Sequence, residues 1–264
     1  VVETVEFNEI LLKHSDGIST IILNRPDILN VFTFDLLREL KQALEYCASS
    51  VDTKVIILTG AGRVFCAGGD IKTMAAEMDT GTTLEFIEAS ADMIRLIRNM
   101  EKPVIAAVNG LAVGAGFNYV LATDLVIASE KAAFMQGFSK LGMIPDAGGI
   151  YLLPRIVGLH KAKQLFYMNQ LIDAHTAEQI GFVNWVVNDD ELEEQALQVA
   201  RQLVKGPARA LGLGKLLLNR SLDSPLDSAL AAEAYAQVVL MKTADHKEGV
   251  QAFVEKREPC FLGD

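Results

Sequence analysis

Residues Lys102 to Tyr151 read KPVIAAVNGLAVGAGFNYVLATDLVIASEKAAFMQGFSKLGMIPDAGGIY. Pro103 precedes a short apolar run, Val104 to Val108, whose pattern predicts a buried strand. Asn109-Gly110 breaks it. Gly114, Ala115 and Gly116 then open a second apolar segment, Phe117 to Ala122, of helical length. Small residues at a strand-to-helix junction let a ligand approach the backbone and leave free N–H groups aimed at it. Further on, Gly142 to Gly149 (GMIPDAGG) forms a second tight turn with a carboxylate, Asp146, at its apex. One segment thus offers an anion-binding backbone and an acid/base group.

At 264 residues, half of them hydrophobic and 22% charged, the chain is expected to bury a full core. Its formal net charge of −10 argues against a nucleic-acid partner, whose binding rests on basic patches. An anionic small ligand held by local donors stays compatible with that charge. Cys47, Cys66 and Cys260 form neither an even framework nor a metal spacing, which points to a reducing compartment such as the cytoplasm. His14, His160, His175 and His246 are scattered singly, and no metal site is expected. No apolar run has the length of a membrane span, and the first residues, VVETVEFNEI, lack the basic region of a signal peptide.

Before the opening stretch, Glu9 to His14 and Ile18 to Leu23 read as a hairpin joined through Ser15-Asp16-Gly17. Thr33 is placed to cap a helix whose Phe34, Leu37, Leu40 and Leu44 share a face. Lys54 to Leu58 is a continuous apolar strand. Two strand-like pieces flank a glycine turn at Thr59 to Ile71, with a second small-residue patch at Cys66 to Gly69. Thr82 or Thr83 opens a helix to about Met100. Leu125 to Ala128 is another buried strand. The alternation predicts an α/β chain with crossover connections.

Beyond Ile150 helices dominate: Leu152 to Leu159, Lys161 to Met168, and Ala174 to Ile180 stopped by Gly181. One short strand, Phe182 to Val187, precedes helices at Glu191 to Val204, Pro207 to Leu218, Pro225 to Thr243 and Lys247 to Glu255.

FCAGGDI (Phe65 to Ile71) and NGLAVGAGFN (Asn109 to Asn118), followed by IPDAGG (Ile144 to Gly149) and GFVNWVV (Gly181 to Val187), resemble the crotonase (enoyl-CoA hydratase/isomerase) superfamily. LNRP (Leu23 to Pro26) and FVEKREPCF (Phe253 to Phe261) extend the resemblance over nearly the whole chain, in order. It implies an α/β fold with a spiral ββα core, residues 1–200, that binds acyl-CoA. A helical C-terminal region, residues 201–264, would build trimers, usually paired into hexamers. Coenzyme A belongs to the substrate, and no other cofactor is implied.

By motif match, the resemblance places the thioester oxygen between the backbone N–H groups of Ala67 and Ala115. Two fixed donors stabilise the charge that moves onto that oxygen when a base removes a neighbouring proton. The hydratases' two glutamates are missing: their positions hold Asn118 and, nearby, Phe138. Neither can titrate as a carboxylate does. On its own, Asp146 reads as a helix N-cap after Pro145. GMIPDAGGIYLLPRIVG resembles the branch that includes the 1,2-epoxyphenylacetyl-CoA isomerase type, in which this aspartate is the acid/base. An apolar pocket would raise its pKa, and a helix N-terminus would lower it.

Ile28, Cys66, Gly68, Gly69, Asp70, Ile71, Phe117, Asn118 and Phe138 are implied substrate contacts, with Met74 and Phe86 adding apolar surface. Arg25 and Lys256 are candidates for the CoA phosphates, with plain surface solvation as the alternative. Cys66 has no nearby histidine and reads as packing rather than a nucleophile. Asp70 reads as an anchor of its turn, Asp124 as a backbone acceptor, and Tyr151 as either pocket or packing. The expected activity is enoyl-CoA double-bond isomerisation with Asp146 as acid/base. Hydration by an altered site, hydrolysis or dehalogenation with Asp146 as nucleophile, and a non-catalytic acyl-CoA-binding scaffold are the alternatives.

Overall fold

The computed structural model describes residues 3–72 and 78–263. β1 (Glu3–Glu6) pairs antiparallel with β2 (Ile10–Ser15), and β2 with β3 (Ile18–Leu23). The β2–β3 turn has Asp16 at φ 53° and Gly17 at φ 81°. A two-residue hairpin loop needs positive φ at both places, which explains the Asp-Gly pair. After α1 (Phe34–Ser49), capped as expected by Thr33 Oγ1 accepting from Leu36 N at 3.1 Å, the chain enters a repeated pattern.

In that pattern one strand joins a large sheet, the next joins a small one, and a helix usually follows. β4 (Val55–Gly60) and β5 (Val64–Cys66) lead to α2 (Thr80–Asn99). β6 (Val104–Val108) and β7 (Leu111–Val113) lead to α3 (Ala115–Ala122). β8 (Leu125–Ser129) and β9 (Ala133–Met135) make the third turn. The corner between β6 and β7 is Asn109-Gly110. A Cβ at Gly110 would sit 2.9 Å from the Arg63 carbonyl carbon, so only glycine lets β7 settle against β5.

α4 (Gly149–Val157), α5 (Leu159–Met168), β10 (Ile172–Asp173), α6 (Ala174–Gln179) and β11 (Trp185–Val187) follow. The large sheet has the order β1-β2-β3-β4-β6-β8-β11, and the small one β10-β9-β7-β5. From β3 onward the large sheet is parallel, as is β5-β7-β9. The chain is therefore a spiral of ββ and ββα turns. Three-residue strands such as β7 and β9 escape sequence reading because period-2 alternation cannot register in so short a run.

The inner strands β4 and β6 of the large sheet are buried on both faces. Ile56 and Leu58 of β4 face the main core with Leu36, Leu40 and Leu44 of α1. Val55 and Ile57 face α7 (Leu192–Val204) with Ala196 and Val199. Each such side chain contributes roughly 1.5–3 kcal/mol of transfer free energy. α2 starts earlier than expected: its cap is Asp79, accepting from Gly81 N at 2.8 Å and Thr82 N at 3.1 Å. The carboxylate reaches two free amides at the positive helix end, which a hydroxyl at Thr82 or Thr83 does not.

α8 (Ala208–Ser221), α9 (Leu226–Leu240) and α10 (Ala244–Glu255) complete the chain. No helix among the described residues is long and apolar enough to cross a membrane. α8 is tied to the spiral by Lys215 Nζ, 2.7 Å from Asp124 Oδ2 and 2.9 Å from the Lys102 carbonyl. The same Asp124 oxygen accepts from Val104 N at 2.7 Å, as expected for a backbone acceptor. Burial pushes the Asp124 carboxyl up and the Lys215 ammonium down, each opposed by the other. Lys215→Met leaves the carboxylate buried without its cation. Urea denaturation is expected to show a loss of about 3–5 kcal/mol. A loss well below about 1 kcal/mol would mean the pair behaves like a surface contact.

Candidate active site

The parallel pairing of β5 and β7, with Cys66 opposite Ala112, brings out side by side the segments that follow them. Ligands in parallel sheets gather at such carboxyl ends. The first segment, residues 67–70, is templated by the loop at 25–32. Asn30, at φ 53° and fully buried, donates from Nδ2 to the carbonyls of Ala61 (3.0 Å), Val64 (2.8 Å) and Phe65 (3.2 Å). Phe32 N donates to Gly68 O at 2.8 Å, and Asp70 N to Phe32 O at 3.2 Å.

These bonds decide which amide faces the ligand space. Ala67 N donates to Leu29 O at 3.1 Å, and Gly68 N reaches Cys66 Sγ at 3.4 Å. Phe32 engages the residues on either side of Gly69, so the Gly69 amide points to the opposite side of the extended chain. Within 67–70 it is the amide with no partner among the described residues. The Ala67 amide, expected from the motif to receive the oxyanion, is occupied by Leu29.

The second segment is the start of α3. Gly114 takes φ 56° and ψ −123°, and its N donates to Met135 O at 2.9 Å. Ala115 is the first helical residue, so its N–H has no partner within the helix. A Cβ added at Gly68 would lie 3.7 Å from Ala115 N and 2.9 Å from Val113 O, so the two segments touch. Ala67, Gly69 and Ala115 all border a cavity of about 210 Å³. Gly116 must be small because a Cβ there would meet Cys66 Cβ at 2.8 Å. Cys66 itself is fully buried, and burial pushes its thiol up to about 12. It packs and does not border the cavity.

Asp146 borders the same cavity from the opposite segment. It does not cap α4: the N-cap position belongs to Gly148, in a left-handed conformation that follows Ala147 at φ 42°. Asp146 Oδ1 is buried without a hydrogen-bond partner among the described residues, and desolvation raises the carboxyl to about 6. The main chain at Asp146 is braced instead. Its carbonyl accepts from Gly149 N at 2.8 Å and from Asn118 Nδ2 at 2.8 Å. Asn118 Oδ1 in turn accepts from Gln136 Nε2 at 3.1 Å. Gly149 makes room, since a Cβ there would lie 2.6 Å from Asn118 Cγ. Asn118, expected to contact substrate, is therefore a buried strut between α3 and the Asp146 turn.

Of the other expected contacts, Gly68, Ile71, Phe86 and Phe138 border the cavity. Phe117 does not; it is buried against Phe134 and Phe182, ring centroids 5.5 and 4.9 Å away. Asp70 anchors its turn, accepting from Lys72 N at 3.0 Å. Arg25 is paired with Glu9 and lies 3.6 Å from Asp27, and Ile28 sits half-buried on the adjoining 3-10 turn, away from the cavity wall. Lys256 is exposed just past α10. Tyr151 stacks under Arg155, 3.6 Å from guanidinium carbon to ring centroid, beside a different cavity. Met74 lies outside the described residues.

Sequence reading missed Phe32, Ser90, Gln136 and Lys140, all on the cavity wall. Gln136 carried a faint signal, as a polar residue ending the apolar run Ala132 to Met135. Asp146 is the acidic side chain and Lys140 the basic one on that wall, among the described residues.

The family described as Enoyl-CoA hydratase/isomerase matches residues 13–264. The 1,2-epoxyphenylacetyl-CoA isomerase of Escherichia coli K12 is 38% identical over 261 residues, covering 97% of this chain and 99% of that protein. The short-chain-enoyl-CoA hydratase of Clostridium acetobutylicum is 37% identical over 255 residues, covering 96% and 97%. The crystal structure of an enoyl-CoA hydratase from Bacillus anthracis superposes with a TM-score of 0.93 at 34% identity, covering 97% of this chain and all of that one. With its spiral ββα core and its paired glycine segments, the chain belongs to the enoyl-CoA hydratase/isomerase, or crotonase, family of acyl-CoA enzymes.

Proposed function

We propose that this chain isomerises the double bond of an enoyl-CoA, with Asp146 as acid and base and the amides of Gly69 and Ala115 as the oxyanion hole. The observation that carries the proposal is the desolvated Asp146 carboxylate on a cavity whose other walls present two backbone donors, Gly69 N and Ala115 N, without a partner among the described residues.

The chemistry needs no second carboxylate. Ionised Asp146 removes a proton from C2 of a 3-enoyl thioester. The electron pair moves through the carbonyl onto oxygen, where the two amides receive it, one of them backed by the α3 dipole. The protonated carboxyl then delivers the same proton to C4, and the C2–C3 double bond forms. A group that titrates near 6 is ionised enough to act as a base at neutral pH and acidic enough to return the proton. The positions at which the resemblance puts the hydratases' two glutamates hold Asn118 and, nearby, Phe138, which favours proton transfer over two-carboxylate hydration.

Self-association into a trimer or hexamer fits the apolar surface on the C-terminal helices. α9 has no buried residue, and Tyr235 and Val238 of α9 and Phe253 and Val254 of α10 are exposed. Unpaired Cys260, exposed, fits a reducing compartment such as the cytoplasm.

Asp146→Asn is expected to lower turnover of 3-enoyl-CoA by about 10²–10⁴-fold while acyl-CoA affinity is kept. Wild-type turnover in that variant would remove Asp146 from the reaction. The raised carboxyl also sets a pH dependence of stability. A carboxyl at about 6 when folded and about 4 when unfolded binds its proton more tightly in the folded state. Its contribution is full below about pH 4 and is lost as pH rises through about 6. Asp146→Asn should therefore gain stability relative to wild type between pH 4 and pH 7 in paired denaturation curves. A pH-independent difference would place the carboxyl at its ordinary value.

A further inference from the structure

We propose that Gln136 is a specificity-determining residue whose Oε1 accepts a hydrogen bond from a donor group, a hydroxyl, carried by the acyl chain beside Asp146. The inference rests on reading the cavity as an acyl-CoA site and goes beyond it, since a hydrocarbon enoyl chain carries no donor.

Among the described residues, three buried side-chain oxygens have no partner: Gln136 Oε1, Asp146 Oδ1 and Asn169 Oδ1. The first two belong to residues that border the same cavity. A buried acceptor without a partner is costly, so two at one cavity call for a ligand that brings a donor.

The orientation of the Gln136 amide is fixed by its neighbours. The Asp146 carbonyl can only accept, so Asn118 must turn Nδ2 toward it. Asn118 Oδ1 then faces Gln136, and only Nε2 of Gln136 can meet it. Flipping either amide would set two acceptors face to face. Oε1 is therefore the free atom of Gln136, and it can only accept. Gln136 is 1% exposed and Asn118 fully buried, so bulk water does not supply the missing donor.

A hydroxyl on the acyl chain supplies the proton that Gln136 Oε1 lacks. Phe138 and Phe86 close the apolar part of the wall and offer no competing polar contact. A water molecule held permanently at Gln136 Oε1 is the alternative occupant, and it predicts no preference for a hydroxylated chain.

Calorimetry of the wild-type protein with butyryl-CoA and with each enantiomer of 3-hydroxybutyryl-CoA separates the two. One hydroxylated enantiomer is expected to bind about tenfold more tightly than butyryl-CoA, the worth of one hydrogen bond to a buried acceptor. Gln136→Met is expected to bring the ratio of the two affinities within about twofold, whatever the variant's affinity for butyryl-CoA itself. The wild-type protein also carries a readout that needs no variant: the Gln136 13Cδ resonance should move with the hydroxylated ligand and stay put with butyryl-CoA. Equal affinities in the wild type, a preference that survives Gln136→Met, or an unmoved resonance would each overturn the proposal. Failure of the acyl-CoA reading looks different, because butyryl-CoA itself would then not bind.

Discussion

Two three-residue strands, β5 and β7, lie in parallel register, and the site depends on that pairing. The pairing sets the end of one strand, at Cys66, beside the end of the other, at Val113. Neither segment that follows would be ordered alone. The first is held through Leu29 and Phe32, and the second by the start of α3 and the Met135 carbonyl. Glycines stand where backbone meets backbone around the site: Gly68 against Val113, Gly110 against Arg63, Gly116 against Cys66. The hole is therefore a property of main-chain packing, which leaves the side chains of the wall free to vary.

Against that fixed background the acid/base chemistry is set by desolvation. Asp146 sits in a turn strained at Ala147, with Oδ1 unpartnered among the described residues, and its carboxyl rises to about 6. A cap role would have done the opposite, since amide donors hold a carboxylate low. Asn118 braces the main chain of that turn without touching the carboxylate. The side chain is thus positioned while staying unsolvated, and Gly149 is the concession that lets the brace in.

Much of the fold was legible in the residues. The apolar runs of β4, β6 and β8, the Asp16-Gly17 hairpin and the Thr33 cap each follow from local pattern. Asp146 on local pattern reads as a helix cap, which Gly148 takes instead, and it is the resemblance that marks its carboxyl as the acid/base candidate. What stayed hidden was decided by distant partners. Which amide of 67–70 is free depends on Leu29 and Phe32, so Gly69 and Ala67 look equivalent in the sequence. Phe117 reads as pocket lining, yet the α3 helix turns it toward Phe134 and Phe182. Gln136 gains meaning only when residues 118, 136 and 146 meet in space.

In this site one carbonyl oxygen is shared by two particular main-chain donors, and a crystal structure of the protein with a saturated acyl-CoA would show it. The thioester oxygen is expected about 2.7–3.1 Å from both Gly69 N and Ala115 N, with Asp146 facing the acyl chain. A thioester oxygen bonded at Ala67 N, or one lying outside the cavity between the two segments, would contradict it.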